Sequence, residues 1–400
     1  MATGSILPAA RADALHRYQR LKMARSSQAY IRGSTIRFYE WLRQTKKGDL
    51  PEGPPIWICG DCHVSNLGPL ADAKGNIEIQ IRDLDQTVIG NPAHDLIRLG
   101  LSLACAARGS DLPGVTTARI LEQIIDGYTD AMGSIFDADP DIHAIPPILQ
   151  AALRSARKRS WRNLARERIE NMKPSIPLGR RLWPIDQAER AEIDRLVQTE
   201  NVHRLVTLLR SRDDDAKVRL LDAAYWRKGC SSLGNLRFCV LLGVGEEKVD
   251  LCLMDIKEAV HAAAPQYVVE GVPEDDAQRV VEGARHLSPF LGDRMLSARL
   301  MDRPVFMREL LPQDLKVELE TMTRDEATRI ARFLANVVGR AHARQMDASM
   351  RENWTAELRR ASTGALEAPA WLWRSVVDLL VVHERAYLEH CRRYALQEGG

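Results

Sequence analysis

The sequence predicts an α+β protein with a predominantly helical large lobe and a small antiparallel sheet lobe. Three observations carry this. Both ends of the chain read with helical periodicity, and the middle holds paired apolar runs of strand length. The 400 residues are long for one core and natural for two lobes. The expected divisions are residues 1–215, 216–318 (a β-rich part) and 319–400 (a helical part that completes the large lobe).

Residues 11–46 read as helices, with Leu15, Tyr18, Leu21 and Met23 on the first and Ile36, Tyr39, Trp41 and Leu42 on the second. The Pro/Gly-rich stretch 50–55 breaks the pattern. Residues 56–59 and 77–81 are strand-like, and the polar turn 72–76 lies between them. Helices are expected over 92–108 and 116–132. Residues 153–181 are strongly basic, a pattern usual for a solvated helical face, and a helical stretch spans 186–211. Runs 238–242 and 249–256, joined through Gly243 and Gly245, read as a hairpin. A helix over 278–287 and a short strand at 305–307 follow. Thr323-Arg324-Asp325-Glu326 is a capping box ahead of a helix whose Ile330, Phe333, Leu334, Val337 and Val338 share a face. A last helix runs over 371–396.

Hydrophobic residues make up 45% and charged residues 28%, an ordinary globular composition. The 56 basic and 54 acidic residues leave a net charge of +2, which argues for neither a nucleic-acid nor a membrane partner. No apolar run reaches membrane-spanning length, and residues 1–10 lack a secretory pattern. Seven scattered cysteines do not form a disulfide framework, so a reducing cytoplasm is expected. The oligomeric state stays open.

The sharpest motif is Cys59-Gly60-Asp61-Cys62-His63-Val64-Ser65-Asn66. Asp61 and Asn66 are five residues apart, the spacing in kinase catalytic loops of the Asp that takes the acceptor proton and the Asn that holds Mg²⁺. Asp83-Leu84-Asp85 ends the second strand, where a further metal carboxylate is needed. Asp95, in the first turn of the next helix, is placed either to brace the loop or simply to favour the helix dipole. Cys59-x-x-Cys62 with His63 is half a zinc or redox site, without a second half elsewhere in the chain.

A second constellation lies far along the chain. Gly229-Cys230-Ser231-Ser232-Leu233-Gly234 precedes the hairpin whose second strand ends in Lys257. A glycine turn lets backbone N–H groups approach phosphates, and a lysine on the adjacent strand reaches the same oxygens. Glu282 is the expected carboxylate partner of Lys257. A P-loop pattern is absent from the sequence.

The motifs Gly60-Asp61-Cys62-His63-Val64-Ser65-Asn66-Leu67-Gly68, Arg82-Asp83-Leu84-Asp85-Gln86, Tyr30-Ile31-Arg32-Gly33 and Ile256-Lys257-Glu258-Ala259 resemble those of the bacterial domain-of-unknown-function 2252 family. The first two are also similar to motifs of aminoglycoside and choline phosphotransferases. In those enzymes an Ala-x-x-His-Ala helix precedes the catalytic loop, whereas here a similar Gly339-Arg340-Ala341-His342-Ala343 lies near the C-terminus. The resemblance therefore implies a circularly permuted, protein-kinase-like two-lobe fold. It further implies Asp61 as base, Asn66 and Asp83 as metal ligands with Asp85 as the alternative, and Lys257 as phosphate clamp. Arg82, Leu84, Cys230 and Ser231 depart from the family pattern.

The expected function is phosphoryl transfer from ATP with Mg²⁺ to an unidentified hydroxyl- or amine-bearing acceptor. The alternatives are a nucleotide-binding module without turnover and adenylyl transfer from the same site.

Overall fold

The computed structural model describes residues 6–133, 145–158, 175–209, 212–229, 233–246, 249–267, 269, 271–314, 322–359 and 368–394. Three helices, Arg11–Ala24, Ser27–Gly33 and Thr35–Gln44, lead into strand β1 (Ile56–Ile58). Strands β2 (Leu67–Ala71), β3 (Ile77–Ile81) and β4 (Val88–Gly90) follow, then helices Ala93–Gly109, Gly114–Gly133 and Pro147–Lys158. After β5 (Leu182–Trp183) come helices Gln187–Val197 and Glu200–Thr207. Strands β6 (Val218–Trp226), β7 (Arg237–Val244) and β8 (Asp250–Glu258) precede helices Asp276–Leu287 and Pro289–Gly292. Strands β9 (Met295–Leu300) and β10 (Arg303–Glu309) precede helices Arg324–Ala343, Ala348–Arg359 and Ala370–Tyr394. The fold is thus mixed α and β with small antiparallel sheets. Among the described residues no helix is long and apolar enough to cross a membrane. Much of the basic segment 153–181, residues 159–174, lies outside the described residues.

The largest sheet has the order β5-β6-β7-β8-β10-β9 and is antiparallel throughout. Its central strands read as continuous apolar runs because both faces are buried. Phe238, Val240 and Leu242 of β7 join one core with Met254 and Ile256, while Cys239 and Leu241 join a second on the opposite face with Leu253 and Trp226. Helices Gln187–Val197 and Glu200–Thr207 cover the first face with Ile193, Val197, Val202 and Val206. The sequence reads 186–211 as one helical stretch. The structure divides it at Thr199, which starts the second helix.

A separate, larger core is shared by residues 31–153 and 259–379. Its closest helix pairing sets Gly114–Gly133 against Arg324–Ala343. A Cβ built on Gly127 would lie 2.0 Å from the Arg332 carbonyl oxygen, and one on Gly339 would lie 2.8 Å from the Tyr128 carbonyl oxygen. Both glycines therefore permit direct backbone approach. Gly127→Ala is expected to force the helices apart and lose about 3 kcal/mol or more, read as a lower urea midpoint with unchanged slope.

The two strands expected around the motif loop do not pair with each other. β1 pairs with β4, and β3 pairs with β2 across the polar turn 72–76. β2 escapes the sequence reading because Gly68 and Pro69 occupy its interior, where both residues argue against a strand.

Candidate functional site

The loop after β1 is held by its backbone. Gly60 has φ +73°, and a Cβ there would meet the Gln86 carbonyl oxygen at 2.0 Å. Only glycine fits this left-handed, tightly covered position. Asp95, fully buried in the first turn of Ala93–Gly109, accepts from Cys59 N at 2.7 Å and Gly60 N at 3.0 Å. It thus braces the loop. His342 Nε2 lies 3.2 Å from the same carboxylate, and His342 Nδ1 lies 2.9 Å from the Tyr128 hydroxyl. A carboxylate only accepts, so Nε2 carries the proton and Nδ1 takes that of Tyr128. Trp354 Nε1 donates to the Tyr128 oxygen at 3.0 Å, completing a buried chain. Tyr39 OH donates to the Gly60 carbonyl from another helix.

This scaffold presents Asp61. Its Oδ1 accepts from Arg98 Nη2, and its Oδ2 lies 3.9 Å from His63 Nε2. Asn66 Nδ2 donates to the Asp61 carbonyl at 2.9 Å, closing the loop over five residues. Arg82 N donates to Asn66 O at 2.7 Å next to the β2–β3 ladder, which sets Asn66 beside the strand end that leads to Asp83. Burial pushes the His63 imidazole down to about 4, opposed by Asp61 and aided by Arg32 and Arg98, so the ring is neutral near pH 7.

Lys257 sits on β8 between Arg237 of β7 and Phe306 of β10. It is buried, and its Nζ bonds Asp85 and lies 3.6 Å from Asp83 Oδ1. The Asp83 side chain is half exposed; partial desolvation opposes its ionisation, but Lys257, Asp85, Arg237 and Arg308 together hold its carboxyl well below the usual range. Burial and the neighbouring Asp83 charge push Asp85 up. Arg237 itself forms a two-point pair with Asp255 at 2.8 and 2.5 Å. Among the described residues no group of three or more His, Cys, Asp or Glu is placed to hold a metal ion. Cys59 and Cys62 are fully buried, and their mutual hydrogen bond and burial push the Cys59 thiol well up, away from the reactive thiolate.

A family model described as "Uncharacterized protein conserved in bacteria (DUF2252)" matches residues 11–393. The chain belongs to the DUF2252 family. No curated protein and no solved structure matches it.

In this DUF2252 chain Asp61 and Asn66 share one loop, and Asp83, Asp85 and Lys257 meet in a second cluster beside it. Glu282 does not join them, which corrects the expected partner of Lys257. It faces outward on Asp276–Leu287 and pairs with Arg285 at 3.1 Å and His286 at 3.3 Å, one turn along its own helix. The residue that this helix sends inward is Arg279. Its guanidinium donates to the carbonyls of Asp85 at 3.2 Å and Val260 at 2.9 Å and to that of Thr87, fixing the turn after Asp83. Gly229 and Gly234, at φ +103° and +113°, bend the connection between β6 and β7, and Gly229 O accepts from Lys22 Nζ at 2.5 Å. Ser231 and Ser232 lie outside the described residues. Sequence reasoning also missed Arg98. The available signal was a lone arginine inside the apolar run Leu96-Ile97-Arg98-Leu99, since a charge so placed needs a buried partner.

Proposed function

We propose that this DUF2252 protein transfers the γ-phosphoryl group of ATP, with Mg²⁺, to a hydroxyl- or amine-bearing acceptor. One observation carries the reading: the buried Lys257 ammonium meets the Asp83 and Asp85 carboxylates, 172 residues from Asp85 along the chain. A cation and two carboxylates brought together suit a phosphate chain with a hard cation.

Asp83, Asn66 and Asp85 are hard-oxygen donors, and Asp85 Oδ1 is buried without a hydrogen-bond partner, so the set fits Mg²⁺. When bound, Mg²⁺ supplies charge neutralisation at the phosphates. Lys257 would bind the phosphate oxygens. Asp61 would orient the acceptor and take its proton as the acceptor oxygen or nitrogen forms its bond to phosphorus; ADP leaves with the electrons of the broken P–O bond.

The placement of His342, from the Gly339–Ala343 motif, beside the Asp95 brace supports a kinase-like fold in permuted order. On that reading residues 1–215 and 319–400 make the large lobe and 216–318 the small one. Six described cysteines are free, which supports a cytoplasmic setting. A second reading, nucleotide binding without turnover, is favoured by the buried Arg98 that holds Asp61 Oδ1. Adenylyl transfer would use the same residues and differs in the mass added to the acceptor.

Titration with ATP and Mg²⁺ tests the proposal. Wild type is expected to bind, and Lys257→Met to weaken binding by about tenfold or more through loss of a charged phosphate contact. Equal affinity in wild type and Lys257→Met, or no binding at all, would sink it.

A further inference from the structure

We propose that a small pocket on the far side of His63 binds an oxyanion of the acceptor, a carboxylate or phosphate group gripped by the Arg32 guanidinium. The inference rests on the phosphotransferase reading for the word acceptor, and on the pocket itself for the oxyanion.

The pocket lies between helices Ser27–Gly33 and Ala93–Gly109 and the motif loop. Arg32, Gln28, His63, Ser65 and Ser102 line it, over an apolar floor that includes Ile31. Its free volume is about 40 Å³. A nucleotide needs roughly 300 Å³ or more, whereas a carboxylate or phosphate group is little larger than a few water molecules. The pocket therefore suits a compact charged group and not ATP.

Two of its buried polar atoms lack partners, whereas Ser102 Oγ is already held by Val64 N and Leu99 O. Arg32 Nε is buried without a hydrogen bond, and among the described residues no carboxylate pairs with its guanidinium. His63 is 4% exposed, and its Nδ1 is likewise buried without a partner. Unsatisfied buried donors cost free energy unless a ligand or water completes them. The planar guanidinium fork matches a carboxylate or phosphate edge. In the tautomer with the proton on Nδ1, a bound oxyanion also supplies the acceptor for His63. Because that ring is neutral, it adds hydrogen bonding without a second full charge. The helix that carries Arg32 is fixed in place: Tyr30 and Ile31 beside it are buried, with the Tyr30 ring 5.9 Å from that of Tyr387 and 5.3 Å from that of His390.

The arrangement also explains the Tyr30-Ile31-Arg32-Gly33 motif, which the nucleotide site leaves without a role. The pocket shares its His63 wall with the candidate base, since Nε2 of the same ring lies 3.9 Å from Asp61 Oδ2. An acceptor anchored at Arg32 is therefore held one side chain away from Asp61.

The test is calorimetric titration of wild type, Arg32→Gln and Arg32→Lys with inorganic phosphate, with acetate, and separately with ATP and Mg²⁺. Wild type is expected to bind at least one of the two anions. Arg32→Gln should weaken that binding by about tenfold or more, and Arg32→Lys, which keeps charge but loses the fork, by less. The preferred anion separates a phosphorylated acceptor from a carboxylic one. ATP affinity should stay within about twofold in both variants, because the pocket is too small for a nucleotide. Arg32→Lys keeps the test valid if Arg32→Gln fails to fold. Anion binding that is absent in wild type, or unchanged in Arg32→Gln and Arg32→Lys, overturns the pocket while leaving ATP binding as separate support for the phosphotransferase. Anion binding that needs Arg32 in a protein that ignores ATP overturns the phosphotransferase while leaving the pocket.

Discussion

Asp61→Asn is expected to slow phosphoryl transfer by about 10²–10⁴-fold at saturating ATP and Mg²⁺, the range for loss of a general base. Nucleotide affinity should hold within about twofold, because Lys257, Asp83 and Asp85 remain in place. A second effect accompanies the first. The Arg98 guanidinium is wholly buried, and its Nε and Nη1 already lack partners. Neutralising Asp61 leaves that cation without its carboxylate, at a cost of about 3–5 kcal/mol. Urea unfolding would register this as a lower midpoint. Adding Arg98→Met should recover much of the stability, since it removes the stranded charge, and none of the turnover. Recovery of turnover in the double variant would refute the assignment of Asp61 as base.

Asp95→Ala is expected to cost about 3–5 kcal/mol, because one deletion strands several buried donors. Cys59 N, Gly60 N and His342 Nε2 all lose their acceptor at once. The Trp354–Tyr128–His342 chain then ends on nothing. Hydrogen exchange offers a local readout: the Cys59 and Gly60 amides should lose protection more than amides of the β7–β8 ladder, which has its own core. Uniform loss of protection across both regions would mean that Asp95 supports the whole fold and not this loop.

The parts of the fold that were legible in the sequence are those where local pattern and tertiary setting agree. The β7–β8 hairpin is apolar on both faces because it is buried on both. The Thr323 cap is legible because its partners are three residues apart, with Glu326 N donating to Thr323 Oγ1 at 3.3 Å. Among site residues, Asp61 and Asn66 share a loop, so their spacing already implies proximity. Lys257 and Asp83 do not, and only the resemblance to phosphotransferases assigns both to one nucleotide. Glu282 shows where that reasoning fails: helical position alone does not tell which face turns inward, and the buried face of Asp276–Leu287 carries Arg279. Arg98 escaped because a buried ion pair depends on a partner 37 residues away. β2 escaped because its Gly and Pro are tolerated by a short two-stranded ribbon, which no local rule announces.

The larger core has a consequence for synthesis. Helix Gly114–Gly133 leaves the ribosome long before Arg324–Ala343, the helix whose backbone it touches at Gly127 and Gly339. At about 5–20 residues per second, the gap is roughly ten to forty seconds. Throughout it the nascent chain carries an uncovered apolar helix face, so this half cannot finish folding as it emerges. Holdase chaperones that bind such faces should raise the yield of the full-length chain, and slowing translation between the two helices should lower it.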